Sequence, residues 1–269
     1  MDEKVVCNNC HAEHTGKFCN TCGEKILEKR DFSLPILFSE AIGSVTNFDS
    51  KLIISFKKLF FRPGEMSRDI IDGKRISYVK PFQIFLIANI LFFILLPKMD
   101  LFRAPAIWYF PEDLSATESG RKLQDKMDAY DITRGEAELK YDNHSSNLAK
   151  SLLILIIPVM ALYGWLTSLG LGFSLGKTFI YSIHIFTFFL LIIPIIGFFS
   201  TILPIPKTQL TFLGPILLAS LIYSIVSFKK FFKSGWLRSS LSGIVFLALT
   251  FLTFFAYRDL ISQLSLNTM

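Results

Sequence analysis

From residue 148 to residue 269 the chain carries eight Lys/Arg and a single acid, Asp259. A segment of that length with so few charges has almost no polar surface to show to water. Its apolar runs exceed the roughly 18 residues that mark a membrane span. A soluble globular domain, a disordered chain and a secreted disulfide scaffold are thereby excluded. Polar residues gather towards the N-terminus instead, where residues 1–80 hold 13 Lys/Arg and 11 Asp/Glu. The overall charged fraction of 19% falls below the roughly 25% of soluble domains only because of the C-terminal half.

The fold class expected is an all-α membrane protein with about five transmembrane helices, an N-terminal four-cysteine module and juxtamembrane amphipathic helices. The first span is read at 81–97, between Lys80 and Lys98, and the others at 148–170, 178–203, 208–228 and 236–257. Between the first two lies a polar stretch, 98–147, with 7 Lys/Arg and 10 Asp/Glu and a short helix expected at 112–130. Its scattered acids alternate with basic residues and read as a solvated surface. Between the last two spans lies a short loop, KKFFKSGWLR, with four basic residues and no acid. Basic loops stay on the cytoplasmic side. Five spans then place the N-terminus in the cytosol, 98–147 outside and the C-terminus outside. The opening MDEKVVCNNC has no apolar core of a signal peptide and agrees with that orientation.

All four cysteines lie in the first 28 residues, as Cys7-x2-Cys10-x8-Cys19-x2-Cys22. Two Cys-x2-Cys knuckles supply four thiolates at tetrahedral geometry, the pattern of a structural zinc ribbon. The gap HAEHTGKF suits a small β-hairpin between the knuckles. So small a module has no apolar core and takes its folding free energy from the metal. Iron at the same sulfurs is the alternative metal. Disulfides need an oxidising compartment, and His11 and His14 read as bystanders. A closed four-sulfur site leaves no open position for catalysis.

Residues 33–80 read as juxtamembrane helices, at 33–46, 50–61 and 65–72, with Gly73 as a C-terminal cap. In 50–61, Lys51, Ser55, Lys58 and Arg62 share one side and Leu52, Phe56 and Leu59 another. Such a helix lies in the headgroup plane or packs on the bundle. Lys51, Lys57, Lys58, Arg62, Lys74 and Arg75 are the candidate contacts to anionic lipid headgroups or to a partner.

Within the spans, His184, Tyr181 and Asn89 are the candidate functional residues. Ionisable groups inside a bilayer are costly. The bland alternative is a neutral His184 bonded to Tyr181, Ser182 or a neighbouring helix, with Asn89 as interhelical glue. Pro158, Pro194 and Pro215 interrupt the second, third and fourth spans. No catalytic or nucleotide-binding motif is present, so no enzymatic activity is expected. With Lys17 alone between the first and last cysteine, no nucleic-acid partner is expected either.

The head CNNC…GKFCNTCGEK, the segment NFDSKLIISFKKLFFRPGEMSRDIIDGKRISYVKPFQIFL and the segment IYSIHIFTF together resemble a bacterial family of polytopic membrane proteins, domain of unknown function three-six-six-seven, with an N-terminal zinc ribbon. The matching marks are Asp49, Arg62-Pro63-Gly64, Gly73-Lys74-Arg75, Tyr78, Pro81 and His184. The resemblance implies a bacterial inner-membrane location and supplies no activity. The function expected is a membrane-anchored zinc-ribbon adaptor or regulator that docks a cytosolic or membrane partner. The alternative is a small-solute, ion or lipid transporter with the ribbon as a regulatory or assembly element.

Overall fold

The computed structural model describes residues 5–6, 12–16, 19–21, 50–74, 77–96, 100–202 and 209–269. The chain divides into two units, Met1–Lys51 and Leu52–Met269.

In the first unit, β1 (Val5–Val6) and β2 (Glu13–His14) pair antiparallel, Val5 opposite His14 and Val6 opposite Glu13. The two paired strands therefore flank the first Cys-x2-Cys pair in the sequence. The expected place, between the two knuckles, is corrected: one strand precedes Cys7 and only the other falls in the gap. The helix expected at 33–46 lies outside the described residues.

The second unit is helical. α1 (50–61), which starts two residues before the boundary, and α2 (Glu65–Ile71) form a tight hairpin at Arg62–Gly64, which we call the collar. α3 (Pro81–Leu95) begins with Pro81 in its first turn, where the missing N–H is harmless. α4 (Ala106–Tyr109), a 3₁₀ turn at Leu114–Ala116 and α5 (Glu118–Tyr130) follow. α6 (Arg134–Leu152) runs through a second 3₁₀ turn, Leu153–Leu155, into α7 (Ile156–Thr167). Pro158 cannot donate to the carbonyl of Ile154, and its ring crowds that carbonyl; the turn tightens there. α8 (Leu175–Ile202), α9 (Gln209–Phe232) and α10 (Trp236–Thr268) complete the unit.

Four stretches are long and apolar enough to cross a membrane: Arg134–Thr167, Leu175–Ser200, Thr211–Phe232 and Trp236–Thr268. They mark a membrane protein. α3 is apolar but shorter, 15 residues, or about 22 Å at 1.5 Å per residue. Two boundaries move. α9 continues through Phe232, so the basic loop shrinks to 233–235, where Lys233 adopts a left-handed φ of 54°. α10 extends well past residue 257, to Thr268.

The polar stretch 98–147 also differs from expectation. Its described part, from residue 100, is a folded cap with a core of its own, built from Ala106, Phe110, Leu114, Leu123, Ala137 and Tyr141 and closed by Leu266 of α10. Tyr141 stacks on Tyr109 at 5.5 Å and donates to the carbonyl of Ala104 at 3.1 Å. Thr133 and Glu136 form a capping box at the start of α6. Collar and cap sit at opposite ends of the bundle. α3 packs Phe85 on Phe186 at its start and Phe92 on Phe102, beside the cap, at its end.

Candidate functional site: the seam between collar and bundle

α1 presents Ser55 and Leu59 inward, both essentially buried. Ser55 Oγ accepts a hydrogen bond from the backbone N–H of Val79 at 3.0 Å. The side expected to be polar is thus turned partly inward, because chain that follows the helix supplies its partners. The outward side carries Lys57 together with Ile53 and Phe61, which are 67% and 79% exposed.

Gly64 sets the approach of the hairpin to α9. Its φ is +77°, and a Cβ there would stand 2.3 Å from the carbonyl oxygen of Ser227. Only glycine tolerates both the angle and the contact. The hairpin is then tied down by three hydrogen bonds. Tyr223 Oη donates to the carbonyl of Leu59 at 2.9 Å. Arg68 donates to the carbonyl of Phe231 at 3.2 Å. Ser67 Oγ lies 2.7 Å from His184 Nδ1.

His184 is therefore bonded to a neighbouring element, and the partner is the collar serine. Its Nε2 is buried and has no partner among the described residues. A serine hydroxyl on an imidazole nitrogen is the first element of a nucleophile–base pair. Here both side chains are about 2% exposed, and among the described residues no carboxylate orients the ring. Tyr181, one turn earlier, points to α9, where its hydroxyl lies 2.9 Å from Ser227 Oγ and its ring stacks on Phe231 at 4.6 Å. Asn89 stands apart: its buried side-chain oxygen meets no hydrogen-bond donor among the described residues.

Lys58 lies between two acids of α2, 2.8 Å from Glu65 and 2.6 Å from Asp69. Tyr78 donates to Asp69 at 2.6 Å, and the Lys58 ammonium lies 5.3 Å from the Tyr78 ring centre. Burial works against the charged lysine, and its bonds to Asp69 and Glu65 outweigh it, so Lys58 holds its proton above the usual lysine range. The bond from Lys58 pulls the Glu65 carboxyl down against a smaller opposing effect of burial. Burial pushes Asp69 up, but Lys58 and Tyr78 together bring it below the ordinary carboxylate range. At neutral pH Lys58, Glu65 and Asp69 are all charged, and Tyr78 keeps its proton.

Of the six basic residues expected to meet headgroups or a partner, Lys58 is thus occupied within the collar. Arg62 is exposed and 3.3 Å from Glu65; Lys74, 75% exposed, is 3.8 Å from Asp69. Lys57 is exposed and Lys51 half-buried, while Arg75 lies outside the described residues. Of the expected metal ligands, Cys19 is buried and Cys7, Cys10 and Cys22 lie outside the described residues. Among the described residues no three potential ligands converge. His14 is buried in its strand, with neither ring nitrogen partnered among the described residues.

The reading of the sequence missed Ser67, Glu65, Asp69, Tyr223 and Ser227. A signal existed for one of them. Met66, Ser67 and Ile70 form the buried stripe of α2, and a hydroxyl in an otherwise apolar stripe asks for a partner.

Residues 49–93, the collar and most of α3, match the model of a family described as "Protein of unknown function (DUF3667)". Comparison with curated proteins and with solved structures gives no match.

Proposed function

We propose that the protein is a membrane-anchored adaptor or regulator: an N-terminal metal head docks a partner, and the bundle with its collar anchors the chain in the membrane. The observation that carries this reading is the burial of the collar. Ser55, Lys58 and Leu59 of α1 are turned towards protein partners, while Lys57 stays outward. The collar is seated by Gly64 against Ser227, Ser67 against His184 and Lys58 against two acids. The matched family segment, 49–93, is the part that makes these contacts.

In the same reading Cys7, Cys10, Cys19 and Cys22 hold one structural zinc. The pairing of β1 with β2, which flank the first pair of cysteines in the sequence, supports it, and Cys19 is buried as a ligand would be. The bundle crosses a bacterial inner membrane five times, with α3 as the short fifth crossing and the head in the cytosol. Collar and cap at opposite ends of α3 support that count, and the outward Ile53, Phe61 and Lys57 suit a headgroup boundary.

The test is crosslinking in native membranes, comparing the intact chain with a Cys19→Ser/Cys22→Ser variant that inserts equally well. A partner held by the intact protein and lost with the variant is expected. Identical crosslinked species would overturn the adaptor reading. Reporters placed before residue 7 and within the cap must fall on opposite sides of the membrane.

A further inference from the structure

An apolar cavity of about 350 Å³ lies between α8, α9 and α10, towards the cap end of the bundle. Its inner end is formed by Phe186, Ser220 and Leu247, and Arg258 stands at the outer end. Leu247 and Arg258 are eleven residues apart on α10, or about 16 Å. That is about half of a 30 Å hydrocarbon core, the depth of one leaflet.

Arg258 is half-buried, its guanidinium carbon 5.9 Å from the centre of the Phe254 ring. Asp100 acts on Arg258 through space, but neither nearby acid forms an ion pair with it. Asp100 pairs with Arg103 at 2.6 Å, and Asp259 accepts from Gln263 at 2.8 Å. Among the described residues no carboxylate forms an ion pair with Arg258. A cation at the end of an apolar slot, with no direct ion pair among the described residues, can take an anionic ligand.

We propose that this cavity holds one acyl chain of an anionic phospholipid from the surrounding bilayer, with its phosphate on Arg258. The slot has a direction. Thr250, at its inner part, already donates its hydroxyl to the carbonyl of Phe246 at 2.8 Å, so the acidic head belongs at Arg258. A guanidinium fork matches a phosphate in two parallel hydrogen bonds. The slot also opens sideways: Leu213, Leu217, Phe251 and Phe255 line it and are 42–58% exposed. A two-chain lipid can therefore leave its second chain outside, where a closed pocket would suit a free fatty acid.

The full-length protein is reconstituted in vesicles of phosphatidylcholine, phosphatidylglycerol and a little oleate, and retained lipid is counted by native mass spectrometry. Phosphatidylglycerol is expected to be retained over phosphatidylcholine. Arg258→Gln should reduce that preference on the order of tenfold, the worth of a charged hydrogen-bonded contact. Arg258→Lys should restore part of it, and Ile216→Trp, which fills the slot, should reduce retention. Amide protection in the collar, at the other end of the bundle, reports that each variant is folded. Equal retention of both phospholipids, indifference to Arg258→Gln in a folded protein, or oleate in place of phosphatidylglycerol would each overturn the proposal.

Discussion

Gly64 and Gly73 both adopt left-handed backbone angles, φ +77° and +95°, yet the structure assigns them very different costs on substitution by alanine. At Gly73 a Cβ would meet nothing within 4 Å. Gly73→Ala therefore costs only the left-handed strain, about 1–2 kcal/mol. At Gly64 the same strain applies, and the Cβ lands 2.3 Å from the carbonyl oxygen of Ser227. Relief means moving the hairpin by about 1 Å, because carbon–oxygen contacts below about 3.3 Å are repulsive. A shift of that size takes the Ser67–His184 and Tyr223–Leu59 bonds, now 2.7 and 2.9 Å, beyond hydrogen-bonding range. Each leaves a buried polar group unpaired at about 1–3 kcal/mol. Gly64→Ala should then exceed Gly73→Ala by at least about 2 kcal/mol. Hydrogen exchange of the α1 and α2 amides in lipid nanodiscs measures this directly, the difference appearing as roughly thirtyfold faster exchange. Equal exchange in the two variants would show that the collar is not seated on α9 as described.

The Lys58 cluster makes collar stability pH-dependent in a defined direction. Glu65 and Asp69 titrate below their unfolded values, so their contribution is present above about pH 4 and is lost as pH falls through the folded values. Lys58 is raised, so its contribution is full below about pH 10 and is lost only above that. Thermal melts across pH should show a neutral plateau, and Lys58→Met should lower it by about 1.5–3 kcal/mol and flatten the acid limb. Ser67→Ala should cost about 1–3 kcal/mol by leaving the His184 ring without a partner, and His184→Leu in that background should cost less than in the wild type. Strict additivity in that double-mutant cycle would refute the bond. Elemental analysis of the purified protein should find one zinc per chain, absent from Cys19→Ser/Cys22→Ser; iron in its place would refute the zinc assignment.

What the sequence revealed depended on where each residue finds its partner. The long apolar helices were legible because membrane burial is a one-dimensional signal: α8, α9 and α10 each contain the span read from hydropathy or nearly so. The collar was legible as helices but not in its orientation. Ser55 and Lys58 read as a solvated face because periodicity treats hydroxyl and ammonium groups as outward. Their partners are a backbone N–H at residue 79 and carboxylates at 65 and 69, all later in the chain. The cap was not legible because α6 turns Ala137, Tyr141, Ser145 and Ala149 inward. That stripe has perfect helical spacing and little hydrophobic mass. His184 drew attention as a buried imidazole, but the identity of Ser67, 117 residues away, is a property of the fold.

α10 has a consequence for how the protein is assembled. Its distal turns complete the cap: Leu266 enters the cap core, and Thr268 lies 2.8 Å from His144. On the topology proposed above, those turns reach the cap only by threading α10 through the bilayer. Until then, Leu123 and Tyr141 have an incomplete apolar roof. A chain in which α10 fails to insert leaves that core uncovered on the far face, and one in which it inserts covers it. Insertion of α10 and closure of the cap core are then one event.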